Sequence, residues 1–213
     1  MYMAQQLDLF HEDAGAGVFS STEEARTAAR TCVRCDLSTT RRQVVFGVGA
    51  PAARLMIVGE GPSEADDASG QPFSGPSGRV LDAWLTALGL SREEVWLTNV
   101  VRCRPAIPEG NRLRNRPPRA PEVAACRLWM DAELLLVQPS LILCVGATAG
   151  RALIGRDFKM TRDRGRWLEA RNGTPVLATY NPAYVLRLED EARADAEREV
   201  ASDLASIRAR LST

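Results

Sequence analysis

The sequence predicts an α/β domain built on a four-stranded parallel sheet with helices on both faces. Three observations carry this. Short apolar runs recur at residues 54–59, 95–100, 141–146 and 175–180, the pattern of strands buried on both faces. Helical patterns separate the runs, as in repeated βα units. Gly- and Asn-containing turns follow them, and ligands of such sheets bind at the carboxyl ends of strands.

Taken in order, the first strand (54–59) runs into Gly59-Glu60-Gly61-Pro62-Ser63. A helix over 78–88 places Val80, Leu81, Trp84, Leu85 and Leu88 on one face, the stripe that packs on a sheet. The second strand (95–100) carries Asn99 at its end. A helix over 121–137 starts on Pro121, which suits a first helical turn. The third strand (141–146) is followed by a helix over 147–154. The fourth (175–180) leads into Asn181-Pro182-Ala183-Tyr184. The charged segment 189–211 reads as an amphipathic helix forming a solvated cover. No internal repeat is visible. Residues 1–20 read as a flexible tail and residues 21–213 as a single domain.

Composition narrows the function. A chain of 213 residues can bury a core without disulfides. Its 27 basic and 27 acidic residues cancel, so only local charge can attract nucleic acid. Lys159 is the only lysine, leaving one candidate for Schiff-base chemistry. The first residues lack the basic start and apolar run of a secretory leader. No stretch is long enough to cross a membrane, so the expected setting is cytoplasmic.

The cysteines are the most specific signal. In a reducing compartment, clustered cysteines read as metal ligands rather than disulfides. Cys32 and Cys35 are two residues apart from one another in a C-x-x-C pattern, Cys103 opens an arginine-rich stretch and Cys126 closes it. The single histidine, His11, lies in the tail, so a site in the folded body must be all-thiolate. A structural zinc and an iron–sulfur cluster both fit; four unrelated buried thiols are the plainer alternative. Cys144 lies inside an apolar run and reads as a small core residue.

Four segments then carry a resemblance. Gly59-Glu60-Gly61-Pro62, Gly70-Gln71-Pro72-Phe73-Ser74-Gly75, Thr98-Asn99-Val100-Val101-Arg102-Cys103-Arg104-Pro105 and Asn181-Pro182-Ala183-Tyr184-Val185-Leu186-Arg187 resemble, in order, the motifs of family 4 uracil-DNA glycosylases. The match covers residues 32–187. It implies a three-layer α/β/α sandwich and hydrolysis of the N-glycosidic bond of uracil, or a related deaminated base, during base excision repair. The partner would be single- or double-stranded DNA carrying the damaged base. It also implies a [4Fe–4S] cluster on Cys32, Cys35, Cys103 and Cys126.

The chemistry of the residues agrees. A base inside a duplex must be extruded before its sugar bond is reachable. Phe73 can stack on the flipped base. The amide of Asn99 offers donors and an acceptor to a pyrimidine edge. Breaking the bond creates a sugar cation and an anionic base, so a carboxylate and converging donors are needed. Glu60 is the candidate carboxylate and Asn181 the candidate donor, while backbone at Gly61 can approach closely for lack of a side chain. Outside these motifs, Asn99 and Phe73 would read as a strand-end cap and a core aromatic.

Three positions depart from the family pattern. Asn181 stands where the last motif begins with histidine, and an amide cannot become cationic; related mismatch-type glycosylases have Asn-Pro at the similar place. Ser63 replaces a glycine. Asp66 matches the carboxylate thought to exclude a thymine methyl, one methylene shorter. A non-catalytic lesion binder that kept the fold and cluster is therefore the rival reading.

Two further segments point to partners. Residues 102–119 carry six arginines, and Arg112, Arg114 and Arg116, with Arg187 beyond, could hold a phosphate backbone; a solvated loop is the alternative. Gln6-Leu7-Asp8-Leu9-Phe10 resembles the pentapeptide that binds the bacterial sliding clamp. Gln6, Leu7, Leu9 and Phe10 would insert into the partner's groove, unless they pack on their own domain.

Overall fold

The computed structural model describes residues 19–110 and 112–212, so Gln6, Leu7, Leu9 and Phe10 lie outside the described residues. In chain order the first elements are α1 (Thr22–Ala29), β1 (Val48–Gly49), β2 (Leu55–Gly59), α2 (Glu64–Ser69), α3 (Pro76–Leu88) and β3 (Trp96–Asn99). Next come β4 (Ala106–Glu109), β5 (Arg112–Asn115), α4 (Ala120–Val137), β6 (Leu141–Val145) and α5 (Ala147–Leu153). The chain ends with α6 (Met160–Asp163), β7 (Trp167–Glu169), β8 (Pro175–Thr179), α7 (Pro182–Val185) and α8 (Asp190–Leu211).

The four expected strands form the parallel centre of a larger sheet. Its order is β1-β3-β2-β6-β8-β7, with six strands rather than four. The added edges, β1 and β7, pair antiparallel with β3 and β8. Each is two or three residues long, too short to show alternation in the sequence.

Burial on both faces explains the apolar runs. Met56 and Val58 face a core with Trp129 and Met130 of α4 and Ala149 and Leu153 of α5. Their neighbours Leu55 and Ile57 face a second core with Leu81, Trp84 and Leu85 of α3 and Val200, Leu204 and Ile207 of α8. The result is the three-layer sandwich the resemblance implied. Helix α8 is more than a solvated cover, since it also sends Asp203 into the interior. That carboxylate accepts hydrogen bonds from Thr179 Oγ1 at 2.7 Å and Arg164 at 2.8 Å, fixing the end of β8.

The connectivity places the site. From β2 the chain crosses to β3 on one side, then returns to β6 on the other. The carboxyl ends of β2 and β6 therefore flank a topological switch point, where a crevice opens. Among the described residues, no helix is long and apolar enough to cross a membrane.

Candidate active site and cysteine centre

Residues from all four central strands meet at this crevice. Gly59 ends β2, Asn99 ends β3, Thr148 opens α5 just after β6, and Asn181 follows β8. A Cβ on Gly59 would lie 2.4 Å from Asn99 Oδ1 and 2.7 Å from the tip of the Phe73 ring. The amide and the ring thus converge on one bare stretch of backbone, which any side chain would fill. Asn99 is only 3% exposed, and its Nδ2 has no hydrogen-bond partner. A buried donor without a partner costs free energy unless a ligand completes it.

Phe73 is held under strain. Its φ is 55°, a left-handed conformation unusual outside glycine. Arg92 donates to its carbonyl at 2.7 Å, and Gly78 leaves room for that carbonyl, which a Cβ there would meet at 1.8 Å. Such outliers persist where surrounding contacts over-determine them, often at ligand sites.

Glu60 and Asn181 line the same crevice. Thr148 Oγ1 donates to Glu60 Oε2, so the loops after β2 and β6 hold the carboxylate together. Asn181 is the N-cap of α7, its Oδ1 accepting from Ala183 N at 2.8 Å. That cap ties the amide to the first turn of the helix. Gly146, with φ 115°, makes space beside it: a Cβ there would lie 3.4 Å from Asn181 Nδ2.

Two expected substrate residues are engaged within the protein itself. Asp66 is buried. Its Oδ2 accepts from Ser63 N at 2.8 Å, and its Oδ1 accepts from Ser74 N at 2.7 Å and from Ser74 Oγ at 2.8 Å. The short side chain folds back on its own helix, and with Ser63 it closes a capping box that pins the loop next to Phe73. Gly61 serves packing: a Cβ would meet Val101 at 2.8 Å and Pro105 at 3.3 Å.

The four cysteines line one small cavity, with Arg34, Arg41, Arg102 and Trp129 among its other walls. Cys32 follows α1, Cys35 precedes a short turn at Asp36–Thr39, Cys103 lies beyond β3 and Cys126 is on α4. Three of the sulfurs receive an N–H donor: Trp129 Nε1 reaches Cys32 at 3.3 Å, Arg41 reaches Cys103 at 3.4 Å, and the Arg102 amide reaches Cys126 at 3.2 Å. Burial nevertheless pushes the free thiols of Cys35 and Cys103 up, and that of Cys126 up to about 12. Only coordination would keep such groups as thiolates at neutral pH. Among the described residues, no group of three or more His, Cys, Asp or Glu side chains is drawn in tightly enough to hold a metal ion. Cys144 is fully buried in the core, as its apolar run suggested.

The basic stretch is a structured hairpin, β4–β5, instead of an irregular loop. Its arginines divide by burial. Arg102 and Arg104 are interior. Arg116 is not a free cation: it pairs with Glu122 of α4 at 2.5 Å. Arg114 reaches Glu109 across the hairpin at 2.8 Å. Arg112 and Arg187 are exposed.

Sequence reasoning missed Thr148, Arg92 and the pairing of Arg102 with Glu133. Thr148 and Arg92 leave no periodic trace. Glu133 had a signal, a lone carboxylate inside the apolar end of α4.

Comparison with known proteins bears on these residues together. A family model described as "Uracil DNA glycosylase superfamily" matches residues 46–205. A type-4 uracil-DNA glycosylase of Thermotoga maritima is 36% identical over 159 residues, covering 74% of this chain and 79% of its own. One from Archaeoglobus fulgidus is 34% identical over 175 residues, covering 78% and 84%. A type-5 uracil-DNA glycosylase of Pyrobaculum aerophilum is 30% identical over 172 residues, covering 71% and 72%.

The Arg116–Glu122 pair yields a stability prediction. The Arg116 hydrogen bond holds the Glu122 carboxyl below its ordinary 4.5. Its contribution is therefore complete above pH 4.5 and is lost as pH falls through the lowered value. Glu122→Gln should cost about 1.5–3 kcal/mol at neutral pH, the scale of hydrogen bonds to charged groups. In urea unfolding the gap from wild type should close below pH 4.5; a gap independent of pH would assign the loss elsewhere.

Proposed function

The chain belongs to the uracil-DNA glycosylase superfamily, and from that premise we propose that it is a monofunctional glycosylase that flips uracil out of DNA and hydrolyses its N-glycosidic bond. The observation that carries this is the convergence of the Phe73 ring and the unpartnered Asn99 amide on bare Gly59. A flipped pyrimidine would stack on Phe73 and take a hydrogen bond from Asn99 Nδ2 to its carbonyl, while Asn99 Oδ1 accepts from its imide N–H.

Hydrolysis then follows from charge. As the bond from sugar C1′ to base N1 breaks, its electron pair stays with the base, and Asn181 Nδ2 donates to the carbonyl oxygen where that charge collects. Glu60, oriented by Thr148, favours the sugar cation and directs a water whose oxygen bonds C1′. The proton leaving that water balances the one the uracil anion takes up. With Oδ1 of Asn181 engaged by the Ala183 amide, the Nδ2 hydrogens are the donors this side chain would offer the base. A weakly active lesion binder is the second reading, favoured by the absence of an ionisable group at that position.

The cofactor in this reading is a [4Fe–4S] cluster on Cys32, Cys35, Cys103 and Cys126. Four thiols around a cavity, three of them with an N–H donor, suit a polynuclear cluster better than a single zinc, which needs its ligands drawn to one point. When bound, it would cross-link α1, the end of β3 and α4. Arg112 and Arg187 would contact phosphates of the DNA, with Arg114 contributing where it can leave Glu109. The amino-terminal pentapeptide would tether the enzyme to the bacterial sliding clamp, in a cytoplasmic setting.

Three measurements test this. Excision of uracil from single- and double-stranded oligonucleotides should fall on the order of ten- to a thousandfold in Asn181→Ala, the scale of losing one donor aimed at developing charge. Asn181→His should preserve or raise it, and Glu60→Ala should impair turnover without weakening DNA binding. A wild type that excises nothing, with activity appearing in Asn181→His, would establish the lesion binder.

Purified protein should be brown, with iron and sulfide in near-equal amounts, and the colour should survive Cys144→Ala but not loss of Cys32, Cys35, Cys103 or Cys126. Colourless protein with stoichiometric zinc would refute the cluster.

Replacing Leu9 and Phe10 by alanine should abolish clamp binding and leave excision intact. Undiminished binding would remove the tether from the account.

A further inference from the structure

Arg102 occupies the three-residue span between the base-reading amide and the cysteine centre, and it touches both. Its NH1 donates to the backbone carbonyl of Asn99 and, at 3.2 Å, to that of Val100. Its own backbone N–H donates to Cys126 Sγ at 3.2 Å. The guanidinium is 1% exposed and lies 5.8 Å from the centroid of the Phe46 ring. NH2 meets Glu133 at 3.0 Å as an ion pair, off the direction of a hydrogen bond. Glu133 in turn accepts from Trp96 Nε1 at 3.1 Å and Gly47 N at 3.0 Å. The arginine cannot shift without disturbing an anchored carboxylate.

The Asn99 side chain has no comparable anchor. Its Nδ2 is unpartnered, and its Oδ1 rests beside Gly59. The direction of the amide is therefore set by its backbone, and the carbonyl of that residue is tied to Arg102. Arg102 thus joins the two sites, its backbone N–H held at Cys126 and its guanidinium at the carbonyl of Asn99.

We infer that Arg102 is a positioning residue that couples the metal-binding cysteine centre to base recognition, so that occupancy of the centre and capture of the lesion reinforce one another. This rests on the glycosylase reading above. It assigns the centre a part in discrimination as well as in folding. Coupling between sites is reciprocal in free energy, so a bound lesion should also hold the metal in place.

The test uses metal-loaded protein and DNA carrying either thymine or a 2′-fluorinated deoxyuridine, whose sugar cation forms too reluctantly for cleavage. Affinity for both DNAs and transfer of metal to a coloured chelator are measured. In wild type, the uridine DNA should slow metal release several-fold more than the thymine DNA. The double variant Arg102→Gln/Glu133→Gln removes both charges, leaving neither buried alone. It should lose about tenfold in preference for the uridine DNA, at the lower end of effects from residues behind a ligand shell. Its affinity for thymine DNA should be unchanged, and its metal release should be the same with both DNAs. Arg102→Lys keeps a cation for Glu133 but loses the planar fork. It should restore thermal stability without restoring the dependence of metal release on the lesion, a split that a purely structural role would not produce. Equal metal release from wild type with both DNAs, or a full uridine preference in Arg102→Lys, overturns the inference and leaves the glycosylase reading standing. A wild type with neither uridine preference nor uracil excision overturns both.

Discussion

A fully buried carboxylate anchors the middle of this fold. Glu133 has no solvent access. It is held by the Gly47 amide, the Trp96 indole and the Arg102 guanidinium. These partners come from the segment before β1, from β3 and from the strand end that leads to Cys103. Breaking a buried pair by removing one charge typically costs about 3–5 kcal/mol, because the other is stranded. Replacing both can cost little, so the pair is better understood as fixing which segments meet than as a source of net stability. It sits between the apolar core that holds the cysteine centre and the strand end that carries Asn99 to the candidate pocket.

That arrangement leaves free energy unspent at the pocket itself. The Asn99 donor is buried without a partner, and Phe73 sits in a left-handed conformation. Backbone in such regions costs about 1–3 kcal/mol, and an orphaned donor a comparable amount. Both debts fall on residues that surround Gly59, and a flipped pyrimidine could settle the second through its own carbonyl. Meanwhile Asp66 receives three donors and Arg92 holds the Phe73 carbonyl. An orphaned donor beside a firmly held loop is what a preorganised binding site looks like before its ligand arrives.

The central strands were legible because burial on both faces leaves an unbroken apolar run, and the helices because their stripes face the same two cores. Edge strands β1 and β7 gave no such run. The β4–β5 hairpin hid for a different reason: Pro108 and alternating arginines do not resemble a strand, and both its faces are largely exposed. Motif order brought out Glu60, Phe73, Asn99, Asn181 and the four cysteines. It could not tell which side chains were already engaged. The short side chain of Asp66 turned inward to cap α2; Arg116 found Glu122 six residues on. These are contests between a ligand and a nearby protein partner, decided by distances that spacing does not encode. The donors to the sulfurs of Cys32, Cys103 and Cys126 were equally invisible, since Trp129 lies 97 residues from Cys32.

Asn181 shows how local structure constrains chemistry. Asparagine is among the best helix N-caps, and here the cap bond to Ala183 commits the oxygen and fixes the amide plane. The same bond that starts α7 thereby orients the amide, and the lack of a side chain at Gly146 leaves room beside its Nδ2. An imidazole at this position could gain a positive charge that an amide never can, so it would stabilise a departing base anion more strongly. In the proposed mechanism the amide's compensation would be orientation, since a side chain already fixed by its cap loses little further entropy when the substrate binds. The mechanism would then rest more heavily on Glu60 and on the Asn99 contact, and through that contact on the position of Arg102.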